Sequence, residues 1–236
     1  MLRIFFGESR RQDSGHLLRA GQAIQAFILT LDKAVQHGKG NKLKLHRFII
    51  RSRGFIDALD ELEQSKYCCE RYVKQIHKAF VNEMNQDELD AYHRFVYFYK
   101  NGFIRIFSIL DKLGYLMNEW FELQTEWVKP RFSYFTVLRR MHDGRIHEKL
   151  EQQLFGLKVE YKAPLDRLRK QRNMEIHSIN SEMLDDLANA EPALPGDRIQ
   201  VENVKNNVLD LQQGFDGVCR SLIAAFTYMS ETMEKK

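Results

Sequence analysis

The sequence predicts an all-α fold, an antiparallel helical bundle with an N-terminal helical extension, and three observations support this. Only 4 prolines and 13 glycines interrupt 236 residues. Alternating apolar and polar residues, which are typical of half-buried strands, are scarce outside the short segment 2–6. Apolar residues instead recur at helical spacing, and at 44% of the composition they are numerous enough to fill a sizeable core.

The first part of the chain, 1–84, is predicted to form the N-terminal helical extension. Helices are expected over 16–36, 43–63 and 65–82, and the glycine-containing stretch 38–42 separates the first two. The remaining residues, 85–236, are predicted to form the bundle itself. A single continuous domain over 1–236 is the alternative organisation.

The bundle is predicted to begin at Asn85, which can cap a helix that has Asp87 and Glu88 in its first turn. This helix is expected to run towards residue 127, with a break at 101–102. Its aromatic cluster is expected in the core or a dimer interface, rather than stacked on bases: Tyr92, Phe95, Tyr97, Phe98, Tyr99, Phe103 and Phe107. Later helices are predicted over 133–141, 146–157, from Pro164 to Ile179 and over 200–233, with a turn at 142–144 and a loop at 189–197.

Composition and the absence of several motifs restrict the expected cellular location and the possible classes of protein. Three cysteines are too few for a disulfide framework, and no signal peptide or membrane-spanning run is evident, so a cytoplasmic location without membrane association is expected. No phosphate-binding glycine loop or serine-hydrolase elbow occurs. His142 and His147 lack a third ligand at a suitable spacing, so no metal or other cofactor is predicted. A net charge of +4 permits nucleic acid as a partner without requiring it, and the basic stretch 42–53 fits either RNA contact or a solvated surface.

One arginine is predicted on the apolar side of a late helix. At about 100° per residue, Leu168, Ile176 and Ile179 fall close to Leu165 around the helix, and Arg172 lies within the same stripe. A buried guanidinium without a partner is costly. Arg172 is therefore expected to meet a carboxylate, a protein interface or an anionic ligand.

The segment Arg172-Asn-Met-Glu-Ile-His177 resembles the Arg-x4-6-His signature of HEPN domains, in which Asn frequently follows Arg. The loose pattern also occurs at Arg11/His16, Arg71/His77 and Arg140/His147, but only Arg172 is followed by Asn. The motif lies on a late helix that precedes a terminal helix, as in HEPN domains, and 103–118 is similar to an earlier helix of larger bacterial HEPN proteins. The resemblance covers the chain from about residue 88. The Arg-x4-His-x-Tyr variant of the motif is absent.

This resemblance implies a HEPN-like bundle with metal-independent endoribonuclease activity and 2′,3′-cyclic phosphate products. His177 would transfer protons, Arg172 would stabilise charge on the phosphate, and Asn173 would orient the imidazole or a phosphate oxygen. Five further residues are predicted to guide RNA or to face the site: Arg167, Arg169, Lys170, Asp111 and Asn118.

The resemblance also implies a homodimer with a composite site at its interface, RNA as substrate, and a role as a toxin or phage-defence effector restrained by a neutralising protein. The alternative is a non-catalytic HEPN-like module that binds RNA, nucleotide or a protein partner. A third, structural interpretation pairs Arg172 with an acid such as Asp111 and His177 with a backbone carbonyl.

Overall fold

The computed structural model describes residues 2–177, 201 and 203–234, without the side chains of His177 and Glu234. Within these residues the chain forms helices and no β-strand, which confirms the all-α prediction. The α-helices are α1 (Gly15–Gln36), α2 (Lys42–Tyr72), α3 (Gln86–Trp120), α4 (Thr125–Val128), α5 (Tyr134–Gly144), α6 (Glu148–Glu160), α7 (Lys162–His177) and α8 (Val204–Glu234). Ile179, the loop 189–197 and the predicted start of the last helix at residue 200 lie outside the described residues. No described helix is long and apolar enough to cross a membrane.

Helices α2 and α3 form an antiparallel pair. Ser65 Oγ lies 2.9 Å from Asn101 Oδ1, and Arg51 bonds Glu119 further along α3. Residue numbers therefore fall along α2 as they rise along α3. Helix α8 packs against α1, α2, α3, α6 and α7 and so occupies the centre of the bundle.

One hydrophobic core joins helices from both ends of the chain. Phe27 of α1 and Phe55 of α2 each contact the ring of Phe226 on α8, with centroid distances of 5.5 and 5.4 Å. The same cluster contains buried residues of α3, α5, α6 and α7. Helices before and after residue 84 therefore share this core, while the division of the chain at that position stays a prediction.

Several predicted boundaries within 1–84 are wrong. Leu2–Phe6 is a 3-10 helix rather than a strand. The helices expected over 43–63 and 65–82 are one helix, α2, which ends at Tyr72. No proline or glycine interrupts α2 near Ser65, whose hydroxyl is satisfied by the carbonyl of Glu61, so nothing there ends the helix.

Helix α3 begins as predicted, because the side chain of Asn85 accepts a hydrogen bond of 2.9 Å from the Glu88 backbone N–H. It continues without a break through Gly102 and ends at Trp120, not near residue 127. A Cβ on Gly102 would lie 2.7 Å from Leu211 Cδ1. The glycine therefore lets α8 pack close to α3 rather than ending the helix. The aromatic cluster is largely buried, but Tyr97 is 64% exposed.

The predicted turn at 142–144 is also wrong, since α5 includes these residues. The chain reverses immediately afterwards, where Arg145 and His147 have φ of 47° and 53°. These left-handed conformations end α5 and open α6 at Glu148.

Candidate active site on α7

Helix α7 packs the first half of its apolar stripe onto the bundle. Leu165 and Leu168 are buried, and Pro164 lies in the first turn, where its missing N–H is harmless. Ile176 is 50% exposed, so its predicted place in the packed stripe is wrong. In this turn Glu175 faces α3, where it forms an ion pair of 3.1 Å with Lys100. The next residue lies about 100° further around the helix, so Ile176 points away from α3.

Arg172 lies against the aromatic face of α3. Its guanidinium carbon is 5.2 Å from the ring centroid of Phe107, a distance at which the ring quadrupole attracts a cation. Its Nε is buried and has no hydrogen-bond partner among the residues described. The arginine thus contacts the Phe107 ring, and one of its donors is left unsatisfied.

Asp111 lies one helical turn beyond Phe107 on α3 and supplies negative charge near this arginine. Burial raises the pKa of Asp111 above its ordinary value, although the Tyr134 backbone N–H and the positive charges of Arg172 and Arg169 oppose the rise. One carboxylate oxygen accepts the Tyr134 N–H at 3.0 Å. Arg172 was expected to meet a carboxylate, and Asp111 is that carboxylate. The two interact through their charges, near the N-terminal end of α5 where Asp111 accepts the Tyr134 N–H.

A glycine allows α5 to approach α3 at this point. A Cβ on Gly114 would lie 2.8 Å from Tyr134 Cα and 3.1 Å from Tyr134 N. Only a residue without a side chain fits, since real Cβ atoms do not approach backbone atoms so closely. Gly114 thus determines how near the α5 N–H comes to Asp111.

A second arginine extends the site towards solvent. The guanidinium of Arg169 lies 4.4 Å from the Phe135 ring centroid and 5.8 Å from that of Phe107. Arg169, Asn173 and His177 follow one another at intervals of four residues, so they form one row along α7. Asn173 is exposed. His177 is the last described residue of α7, and the position of its imidazole lies outside what the structure describes.

The comparison with protein families identifies this bundle. The Cthe2314-like HEPN family model matches residues 52–230, which is well over half of the chain. The chain belongs to the HEPN family. The match begins inside α2, so it extends further upstream than residue 88, where the sequence resemblance was expected to begin. No curated protein and no solved structure matched this HEPN chain.

The other predicted residues of the HEPN protein have structural partners or lie apart. Arg167 forms two hydrogen bonds with Asp210, of 2.7 and 2.6 Å, so much of its charge is already neutralised. Lys170 is exposed. Asn118 lies on the far half of α3, where it accepts a hydrogen bond from the Thr125 backbone N–H at 3.0 Å and donates one to Glu126 at 2.8 Å.

Sequence reasoning missed the aromatic and backbone parts of this site. Phe107 lies four residues before Asp111 on the same helix, a spacing that could have indicated a shared face. Phe135 and the Tyr134 backbone N–H come from a distant segment and had no sequence signal linking them to α7. Both are brought in by the packing of α5 on α3.

A large groove lies beside the second half of α3, away from α7. It measures about 1150 Å³ and lies between α2, the second half of α3 and the segment before α5. Part of the predicted basic face lines it, but Lys44 and Arg51 are paired with Glu122 and Glu119. Lys112, next to Asp111, also lines the groove. The groove therefore carries charge of both signs rather than a uniform positive field.

The other histidines and cysteines considered as functional residues are hydrogen-bonded to neighbouring side chains or buried in the core. His142 pairs with Glu151 at 3.0 Å, and His147 bonds the Tyr228 hydroxyl at 3.0 Å. Across the described part of the chain, no group of three or more histidine, cysteine or acidic side chains could hold a metal. Cys68 and Cys69 are buried core residues, and burial raises the pKa of Cys68 to about 11.

Proposed function

We propose that this HEPN protein is a metal-independent endoribonuclease that acts through Arg172, Asn173 and His177. One observation carries the proposal: the Arg-Asn-x3-His motif of a HEPN chain lies on α7, where Arg172 is held between Phe107 and the charge of Asp111 with its Nε unsatisfied within the described structure. Leaving a buried donor unpaired is unfavourable, so an outward movement of Arg172 that lets its guanidinium bind an anionic oxygen would be favoured.

The proposed reaction needs no metal or other cofactor. The ribose 2′-oxygen attacks the adjacent phosphorus as its proton passes to a base, and the bond from phosphorus to the 5′-oxygen breaks as an acid protonates that oxygen. The products are a 2′,3′-cyclic phosphate and a 5′-hydroxyl. The imidazole of His177 suits either proton transfer near neutral pH. The permanent charge of Arg172 stabilises the negative charge that develops on the phosphate oxygens.

Two proton transfers require two groups, whereas the motif supplies one imidazole per chain. We therefore propose a homodimer in which a two-fold axis brings two motifs into one cleft. The exposed position of Ile176, one turn after Arg172, supports a protein contact beside the motif. Arg169, placed outward over Phe135, would contact RNA phosphates at the edge of the cleft.

An unrestrained ribonuclease would degrade the RNA of its own cell. We therefore propose a role as a toxin or phage-defence effector that a neutralising protein holds inactive. The expected result in cells is growth arrest on expression of the wild type and normal growth on expression of His177→Ala at equal protein levels. If both variants arrested growth, the toxicity would not depend on His177, and this prediction would be wrong.

The direct test incubates purified protein with total cellular RNA in EDTA and examines the new ends for cyclic phosphate. Wild type and the matched control His93→Ala, which changes an exposed histidine of α3, should cleave, whereas His177→Ala and Arg172→Ala should not. If wild type leaves RNA intact but binds a 2′-deoxy-substituted, non-cleavable RNA, the non-catalytic binding module replaces the ribonuclease. Cleavage by His177→Ala at the wild-type rate would refute the assigned role of His177.

A further inference from the structure

A second cavity lies away from the α7 motif, between the start of α1, α6 and α8. Its volume is about 600 Å³, within the usual range for small-molecule pockets. Four basic side chains line it: His16, Arg19, Lys149 and Arg220. Leu157 and Ile223 contribute an apolar wall.

A hydrogen-bonded relay orients His16 at this cavity. Its Nδ1 bonds one carboxylate oxygen of Asp216, and the Tyr161 hydroxyl donates to the other. Burial raises the pKa of Asp216, but these two hydrogen bonds outweigh that effect and hold the pKa below its ordinary value. Because an ionised carboxylate only accepts, the Nδ1 that faces it carries a proton. The other nitrogen, Nε2, bonds no residue in the described part of the chain.

Three permanently charged basic side chains line the cavity around the oriented imidazole, and two of them are paired with acids. Arg220 donates to the Tyr161 hydroxyl at 2.8 Å and pairs with Glu160, so the relay fixes its position too. Arg19 lies three residues after His16 and therefore on the same face of α1. It pairs with no acid among the described residues. Lys149 also lines the cavity but pairs with Glu231 at 3.1 Å, and Arg220 pairs with Glu160. Arg19 is therefore the permanent cation of this lining whose charge no acid of the described residues offsets.

We infer that this cavity binds a small phosphomonoester, with its phosphate between His16 Nε2, Arg19 and Arg220 and its organic part against Leu157 and Ile223. A guanidinium and an imidazolium are suited to a phosphate dianion, since both only donate and form charge-assisted hydrogen bonds with its oxygens. As an imidazolium, His16 would donate from Nδ1 to Asp216 and from Nε2 to the phosphate. The site is separate from the proposed ribonuclease chemistry and does not depend on it. If His16 only linked α1 to α8, it would need Nδ1, which bonds Asp216, but not Nε2. A variant that keeps the first contact and removes Nε2 therefore tests the inference.

The decisive variant is His16→Asn, because the asparagine amide can replace Nδ1 as donor to Asp216 but has no counterpart of Nε2. Binding of phenyl phosphate and of inorganic phosphate is measured by calorimetry, together with the melting temperature. Wild type and the matched control His46→Asn, at an exposed position of α2, should bind phenyl phosphate equally. His16→Asn should bind about tenfold or more weakly with unchanged melting, as expected for the loss of a charged hydrogen bond.

Arg19→Gln keeps the inference testable if His16→Asn unfolds, because Arg19 is exposed and its replacement should leave stability unchanged. This variant should also weaken phenyl phosphate binding. No saturable binding below about 10 mM, or equal binding by wild type and Arg19→Gln, would overturn the inference. Inorganic phosphate binding as tightly as phenyl phosphate would remove the role given to the apolar wall.

Discussion

Replacing Gly114 by alanine should separate α5 from α3 at the candidate active site. The added Cβ would lie 2.8 Å from Tyr134 Cα and 3.1 Å from Tyr134 N. Both are backbone atoms, which cannot rotate away as a side chain can. The start of α5 must therefore shift, and the 3.0 Å hydrogen bond from Tyr134 N to Asp111 must lengthen with it.

The magnitude follows from comparing two opposing effects. Alanine is favoured over glycine inside a helix by about 1 kcal/mol. Overpacking of a close contact costs about 1–3 kcal/mol. Gly21 of α1 provides a matched control, because a Cβ there would meet nothing within 4 Å. The helix preference applies to both positions and cancels, so Gly114→Ala should be less stable than Gly21→Ala by about 1–3 kcal/mol.

Thermal unfolding of the two variants measures this difference. For a chain of this size, 1 kcal/mol corresponds to about 2–4 °C in melting temperature. Gly21→Ala should melt at or above the wild-type temperature and Gly114→Ala several degrees below Gly21→Ala. Equal melting temperatures would refute the conclusion that Gly114 is required for the close approach of α5.

Two other predictions concern elements that hold the bundle. Glu63 accepts hydrogen bonds from Arg3 at 2.9 Å and from Arg11 at 2.7 Å; although burial raises its pKa, these bonds hold the pKa below its ordinary value. The contribution of Glu63 to the free energy of unfolding should be complete above about pH 4.5, and it should be lost as the pH falls through the pKa of Glu63 in the folded protein. Glu63→Gln should therefore lower the free energy of unfolding by about 1–3 kcal/mol at pH 7. Urea titrations at several pH values should show that this variant loses less stability than wild type as the pH is lowered below about 4.5. An unchanged pH dependence would contradict this prediction. Asn85→Ala removes the cap of α3 and should cost about 1 kcal/mol in the same titrations, whereas Asn85→Asp should retain most of it; equal loss in both would exclude capping as the cause.

The helical class and several helix ends follow from local sequence. The cap at Asn85, the proline in the first turn of α7 and the 3.6-residue periodicity of α8 depend on neighbours within a few residues. The same reasoning failed at Ser65 and Gly102. At both positions a residue that looks like a local interruption is accommodated by the packing of another helix or by a backbone carbonyl.

The candidate site also has a part that local sequence predicts and a part that depends on tertiary packing. The Arg172-Asn173-x3-His177 pattern and its position before the last helix were readable from the chain itself, because they need only helical spacing and composition. The residues around Arg172 were not. Phe107 and Phe135 come from two other helices, and Glu175 rather than Ile176 faces α3, where it pairs with Lys100.

The sequence by itself therefore determined the helical class, the Arg172-Asn173-x3-His177 pattern and its helical spacing on α7. Only the tertiary structure decided that Arg172 lies over Phe107 beside Asp111, and that His16, Asp216 and Tyr161 form one relay. The physical reason is distance along the chain: helix propensity and spacing act over a few residues. Desolvation, ring contacts and ion pairs arise only after helices far apart in sequence have packed.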